Sequence, residues 1–323
     1  MQTLLRKTNA YKLLERETRE NKNSHAYLLL FDDARNLRET LKYFAKVLFS
    51  CQNEETDEEK RFSRLIDSES FSDCLFFPET GKKLAVEDAD SIKEECLLRP
   101  VEGKRKLIVV SGFETANPPT QNKLLKLLEE PPEGVVFLLG AINSFNILTT
   151  VLSRTKKLEI LSFDPKDIEE CLERMYPNKY DKDALSLCAA ASNGSLGGAQ
   201  NILEGGYFKS LLENAFSLAL STRHALPIAV KAVGETKHAK ELFSLLRLIY
   251  RDALVLKTQG AKGKHRLLLK RSDISSVAEK YSERALIFAQ ECISKAEMEL
   301  TFNANLPQCL ELCIAKILRE NKE

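Results

Sequence analysis

The sequence predicts a parallel α/β domain followed by an all-helical region, and three observations predict it. First, short apolar runs suited to buried strands fall at residues 26–31 (AYLLLF), 74–77 (CLFF), 106–110 (KLIVV), 135–140 (VVFLLG) and 156–163 (KKLEILSF). They alternate with helical patterns, the arrangement that builds a doubly wound parallel sheet. Second, the strand signals stop after Pro165. Third, from Tyr207 onward only long helical patterns remain, among them FKSLLENAFSLAL and ELFSLLRLIYRDALVL. At 323 residues the chain is long for one core. The division expected is 1–163, a short helical segment at 164–206, and a helical bundle at 207–323.

Each element has its own signal. The opening MQTLLRKTNAYKLLERE is charged throughout and lacks the apolar core of a signal peptide. The run at 26–31 is uninterrupted, as in a strand covered on both faces. A helix follows, with Leu37, Leu41, Phe44, Ala45 and Leu48 recurring at three and four residues. Residues 52–73 are acidic and Ser-rich, with Glu54, Glu55, Asp57, Glu58 and Glu59 together, and read as an exposed insertion. From Ala85 to Leu98, Val86, Ala89, Ile92 and Cys96 mark one side of a helix. A Leu-rich helix is closed by Pro131-Pro132. The last strand alternates along Leu158, Ile160 and Phe163. In the second half, breaks are expected around Asn193-Gly194, Gly197-Gly198, Gly205-Gly206 and the basic stretch 259–266, and Leu306 to Leu318 forms the closing helix.

Composition excludes several classes. Net charge is +1, from 48 Lys plus Arg against 47 Asp plus Glu. That balance is too even for strong stand-alone binding to nucleic acid, which depends on many phosphate neutralisations. The apolar runs are too short to cross a bilayer, so no membrane contact and a cytoplasmic location are expected. The cysteines at 51, 74, 96, 171, 188, 292, 309 and 313 form no C-x-x-C pair. Thiols in this pattern are small buried apolar groups, and no metal site is expected. His25, His224, His238 and His265 are scattered, without the partner spacing of metal or nucleophilic chemistry. Lys104-Arg105-Lys106 and the 262–271 cluster read as exposed faces, and the second is a candidate for local DNA contact.

The stretch from Asn117 to Thr155, NPPTQNKLLKLLEEPPEGVVFLLGAINSFNILTTVLSRT, carries the most specific signal. Its helix, its Glu129-Glu130-Pro131-Pro132 stop, its apolar strand, its polar turn and its Ser153-Arg154-Thr155 come in a fixed order and spacing. In both it resembles part of the nucleotide-binding domain of AAA+ clamp-loader subunits, above all the delta-prime subunits of bacterial DNA polymerase III. The resemblance is strong over residues 106–163 and fair over 24–50 and 70–98. It is weak in the helical C-terminal third, where NANLPQCLELCI at 303–314 is similar to the family's closing helix. It implies a RecA-like (AAA+) domain over 1–163, a small helical lid over 164–206 and a helical collar that joins subunits over 207–323. Ser153-Arg154-Thr155 matches the family's Ser-Arg-Cys motif, with Thr155 in place of the cysteine. In that family the arginine crosses a subunit interface to the γ-phosphate of ATP bound next door. A guanidinium supplied in trans is worth ~10³–10⁵ in rate, and lysine lacks its planar fork. The four-cysteine zinc module of many relatives is not carried over, because only Cys51 stands at that point.

The same resemblance places a phosphate loop at the turn after residues 26–31, which here reads Phe31, Asp32, Asp33, Ala34, Arg35, Asn36, Leu37, Arg38, Glu39, Thr40. Laid on G-x-x-x-x-G-K-[ST], Asp33, Arg38 and Glu39 stand at first glycine, second glycine and lysine, and only Thr40 fits. Acidic groups there repel a triphosphate, and side chains fill the space of its oxygens. After KLIVV, Ser111, Gly112 and Phe113 stand where a motor carries paired acids for magnesium, with Glu114 one or two places late. Gly194-Ser195-Leu196 is followed by Gly197 where ATP-binding relatives have arginine. Gly81-Lys82-Lys83 and Gly103-Lys104-Arg105 both lack the hydroxyl that a phosphate loop needs. The expectation is a subunit without ATPase activity or bound cofactor of its own, serving ATP and Mg²⁺ held by a neighbour. The partners implied are gamma/tau-like motor subunits and a delta-like subunit in a hetero-oligomeric ring. Through that complex the chain would act on a sliding clamp and primed DNA, as part of a DNA polymerase III holoenzyme. Two alternatives stand beside it: an ATP-hydrolysing gamma/tau-like motor, and a structural AAA+ adaptor outside replication.

Overall fold

The computed structural model describes residues 1–233, 238–260, 267–269, 271–302 and 304–321. It divides into two compact units, Met1–Phe163 and Asp164–Glu323. The first unit is the predicted α/β domain. Its strands are β1 (Ala26–Phe31), β2 (Cys74–Phe77), β3 (Lys106–Ser111), β4 (Val135–Ala141) and β5 (Lys156–Ile160). All pair in parallel, in the order β2-β3-β4-β1-β5. Its helices are α1 (Gln2–Lys7), α2 (Asn9–Arg19), α3 (Leu37–Leu48), α4 (Asp57–Asp67), α5 (Val86–Cys96), α6 (Pro118–Glu129) and α7 (Thr149–Leu152).

The uninterrupted apolar runs follow from burial on both faces of the sheet. Along β1, Tyr27, Leu29 and Phe31 enter one core with Leu14, Leu41 and Phe44, while Leu28 and Leu30 enter another with Leu124 and Leu128. β4 repeats the split: Val136 and Leu138 face the first core, Phe137 and Leu139 the second. β5 lies at the sheet edge and alternates, with Leu158 and Ile160 buried and Lys157 and Glu159 exposed. It ends at Ile160, short of the expected residue 163, because its one strand partner, β1, ends at Phe31 level with Ile160; Leu161 beyond it is 71% exposed. Gly140 allows α3 to lie close on β4; a Cβ there would stand 2.6 Å from Leu41 Cδ1.

Two parts of this unit differ from expectation. The charged N-terminus forms α1 and α2, whose Leu4, Leu5, Ala10, Tyr11 and Leu14 are buried. The acidic segment 52–73 is not simply an exposed insertion. Thr56 caps α4 by accepting from the Glu59 amide at 3.1 Å, and Asp57, Glu58 and Glu59 occupy the first turn, where the helix dipole favours negative charge. Ser63, Ile66 and Phe71 are buried.

The second unit is helical throughout the described residues: α8 (Pro165–Met175), α9 (Lys182–Ala191), α10 (Leu196–Glu204), α11 (Phe208–Leu220), α12 (Leu226–Val233), α13 (Ala239–Gln259), α14 (Arg271–Lys280), α15 (Glu283–Thr301) and α16 (Leu306–Glu320). One core cluster runs from Cys188 to Leu318, so Cys188, Ala191 and Ile202 of the 164–206 segment share it with the bundle. Gly197 and Gly198 do not break the chain. They lie in the first turn of α10, where the Ser195 hydroxyl accepts from the Gly198 amide at 3.1 Å. The 262–271 cluster falls mostly outside the described residues. No described helix is long and apolar enough to cross a membrane. All eight cysteines are buried, and burial pushes the thiols of Cys51, Cys188 and Cys313 up to about 12. No described group of His, Cys, Asp or Glu has the arrangement to hold a metal ion.

Candidate functional site

Residues singled out by sequence occupy two places in the first unit. One is the turn between β1 and α3, beyond the C-terminal end of β1. The Asp33 side chain is buried and closes this turn: it accepts from the Asn36 amide at 3.1 Å and from Asn36 Nδ2 at 2.9 Å. The Asp33 amide donates to the Phe31 carbonyl at 2.8 Å. Thr40 is fully buried, and its hydroxyl turns back onto the Asn36 carbonyl at 2.8 Å. Glu39 is exposed and pairs with Lys42 at 2.8 Å. No residue from 31 to 40 has a positive φ. The alternating right- and left-handed backbone that gathers amides around an anion is therefore not formed here.

Arg38, at the second-glycine position, points to the β2 side of the unit. Its Nε and Nη2 reach the two carboxylate oxygens of Glu69 at 2.7 and 2.5 Å, and Nη1 donates to the Pro78 carbonyl at 3.0 Å. The guanidinium carbon lies 5.6 Å from the Phe76 ring centroid. The Arg38 guanidinium in turn holds the Glu69 carboxyl below its ordinary value. The side chains at the first-glycine, second-glycine and hydroxyl positions are thus committed to bonds inside the chain.

At the end of β3, Ser111 is followed by Gly112 at φ +71°, a left-handed position that glycine takes without strain. Phe113 turns inward and is fully buried. Glu114 is also buried, at 9% exposure, and its Oε2 has no partner among the described residues. Burial raises its pKa.

The second place is built by α6 and α7. Asn117 caps α6, its Oδ1 accepting from the Thr120 amide at 2.9 Å and the Thr120 hydroxyl at 2.8 Å, with Pro118 and Pro119 in the first turn. Gln121 on α6 is fully buried and ties down the segment that leads to α7. Its Nε2 donates to the carbonyls of Ala116 (3.0 Å) and Asn146 (2.7 Å), and its Oε1 accepts from the Leu148 amide at 2.9 Å. Sequence reasoning passed over this residue. The signal was a polar side chain on the core-facing stripe of Thr120, Leu124 and Leu128.

Ser153, Arg154 and Thr155 follow α7 directly. The Arg154 amide donates to the Val151 carbonyl at 3.0 Å, the Thr155 hydroxyl to the same carbonyl at 3.0 Å, and the exposed Ser153 hydroxyl to Thr150 at 3.1 Å. The Arg154 side chain is 32% exposed. Its Nε donates to Glu129 Oε1 at 2.5 Å, Nη2 pairs with that same oxygen, and Nη1 donates to the Thr150 carbonyl at 2.8 Å and the Ser153 hydroxyl at 3.3 Å. The Glu129 pairing was not foreseen.

These two places lie at opposite ends of the neighbouring parallel strands β1 and β5. Lys156, which opens β5, sits level with Tyr27 in β1, while Phe31 sits level with Ile160. Arg154 precedes the first of these rungs and the β1–α3 turn follows the last. Four residues of strand, about 13 Å, separate the rungs.

Residues 6–164 match the family model described as DNA polymerase III, delta subunit. DNA polymerase III subunit tau of Escherichia coli (strain K12) is 29% identical over 157 residues, which is 48% of this chain and 23% of that protein. DNA polymerase III subunit delta' of Bacillus subtilis (strain 168) is 26% identical over 162 residues, 50% of this chain and 49% of that protein. The chain spans about a quarter of the length of the first curated relatives it matches. A solved DNA polymerase III gamma subunit-related protein of Thermotoga maritima aligns with 95% of this chain and 99% of its own, at 17% identity and a TM-score of 0.43.

Proposed function

From the premise that its N-terminal unit belongs to the DNA polymerase III delta-subunit family, we propose that this chain is a delta-prime-like clamp-loader subunit. It does not hydrolyse ATP itself and lends Arg154 to the ATP site of an adjoining motor subunit. The observation that carries this reading is that Arg154 and the β1–α3 turn lie at opposite ends of paired strands. Arg154 precedes β5 while the turn where its own chain would hold a phosphate follows β1, a strand length away, so any γ-phosphate it meets belongs to another subunit. The turn itself supports the division of labour, since Asp33, Arg38 and Thr40 are bonded within the chain and Glu39 adds negative charge.

The chemistry asked of Arg154 is electrostatic. Phosphoryl transfer spreads charge over the phosphate oxygens, and a planar guanidinium meets two of them at once. ATP and Mg²⁺ belong to the neighbouring motor, a gamma/tau-like subunit, in a ring that also holds a delta-like subunit. The ring opens a sliding clamp and sets it on primed DNA. In the second unit, the exposed apolar side chains Ile287, Met298 and Leu312 on α15 and α16, with Phe302 just beyond α15, fit a collar that packs against partner subunits.

A motor reading has the tau likeness in its favour and the chemistry of the β1–α3 turn against it. The deciding experiment is Arg154→Ala in an assembly reconstituted with motor and delta-like subunits. The variant should assemble normally, while ATP turnover at the adjoining site falls on the order of 10³-fold. Undiminished turnover would remove the role.

A further inference from the structure

Arg154 does not stand free. Its Nε, at 2.5 Å, and its Nη2 converge on one oxygen of Glu129, the last residue of α6, while Nη1 is taken by Thr150 and Ser153. A phosphoryl group is recognised through two parallel N–H donors of the guanidinium fork. The edge formed by Nε and Nη2 suits that purpose, and it is the edge that Glu129 covers.

We propose that Glu129 is a positioning residue that holds Arg154 back until a neighbour's γ-phosphate displaces it, an inference that rests on the trans-acting reading of Arg154. The two anions compete for the same donors. The carboxylate holds the fork while no phosphate is in reach; a γ-phosphate carries more negative charge and takes the fork when the subunits close together. Release is easy because the pair sits at the surface, with the side chains of Arg154 and Glu129 32% and 44% exposed. Exposed ion pairs shift an equilibrium by about fivefold at most. A buried pair would lock the arginine; this one only delays it.

The test uses the full reconstituted assembly and the variants Glu129→Gln, which removes the charge, and Glu129→Ala, which also removes the acceptor. Turnover at the adjoining site without DNA should rise about two- to fivefold for both, in kcat and not in KM, because the freed fork acts on charge that develops during transfer. The gain should shrink as added salt screens the pair in the unaltered protein. Combined with Arg154→Ala, either change should have no effect. A weakened fold lowers turnover, so a gain reads the contact itself. Turnover equal to or below that of the unaltered protein, with Arg154→Ala still impaired, overturns the role of Glu129 and leaves that of Arg154 standing. Full turnover in Arg154→Ala overturns both.

Discussion

Two arginine–glutamate pairs, Arg38–Glu69 and Arg154–Glu129, stand at the two candidate places in the first unit, and they are built differently. Arg38 meets both oxygens of Glu69, adds a bond to the Pro78 carbonyl and lies by the Phe76 ring, with the two side chains 18% and 22% exposed. Arg154 meets a single oxygen of Glu129 at a more open site, 32% and 44% exposed. Water screens the second pair more than the first, so the first fixes a structure and the second leaves a cation available. The same chemical pairing is thus enclosed at one place and open to water at the other.

The widest expected separation concerns ATP. Were the β1–α3 turn a micromolar ATP site, millimolar ATP would stabilise the isolated chain by about 4 kcal/mol. We expect no change in its thermal midpoint with ATP and Mg²⁺, and a clear rise would erase the contrast between the two places.

Next in size is Gln121→Ala. It strands the Leu148 amide and the carbonyls of Ala116 and Asn146, and urea unfolding should show a loss of about 2–4 kcal/mol. Because Gln121 supports the segment before α7, the variant should also blunt Arg154-dependent turnover in an assembly. A loss below about 0.5 kcal/mol would mean that the Gln121 bonds are replaceable.

Smaller again is the difference between the arginines themselves. Arg38→Met should lower stability by about 1–2 kcal/mol and Arg154→Met by less than about 1 kcal/mol. The Arg38 effect should also depend on pH. The carboxyl of Glu69 is held below its ordinary value of 4.5 by Arg38, so its folded state binds a proton less readily than its unfolded state. The stability it confers is full above pH 4.5 and is lost as pH falls through the lower folded value. Thermal midpoints of Arg38→Met and the unaltered protein should therefore converge in acid. A gap that stays constant from neutral pH into acid would show that Glu69 is not the partner that matters.

What could be read in advance was whatever local pattern records. β1, β3 and β4 announce themselves because strands buried on two faces must be apolar at every position, and α6 because Asn117 opens it and Pro131 follows its end. The α1–α2 segment was legible in principle, since Leu4, Leu5, Ala10, Tyr11 and Leu14 keep helical spacing, but its many charges drew attention to the solvent face. In α4 the acids of the first turn looked like a solvated run, although they suit the helix dipole, and Ser63 and Ile66 mark the buried side. Gly197 and Gly198 read as a break because glycine weakens helices, whereas the Ser195 cap holds them in α10. Arg154 was found from its motif, but its partner was not. Glu129 lies 25 residues away and Glu69 lies 31 from Arg38, and neither pairing has a periodicity to betray it.

The interior placement of every thiol has a practical consequence. Buried thiols are shielded from alkylating reagents, and burial also pushes those of Cys51, Cys188 and Cys313 up to about 12, which leaves them almost no thiolate. A single cysteine introduced at exposed Glu130, beside the Glu129–Arg154 pair, would then be the preferred target for a maleimide dye on the folded protein. The native chain offers a quiet background against which motion around the Glu129–Arg154 pair can be watched by fluorescence.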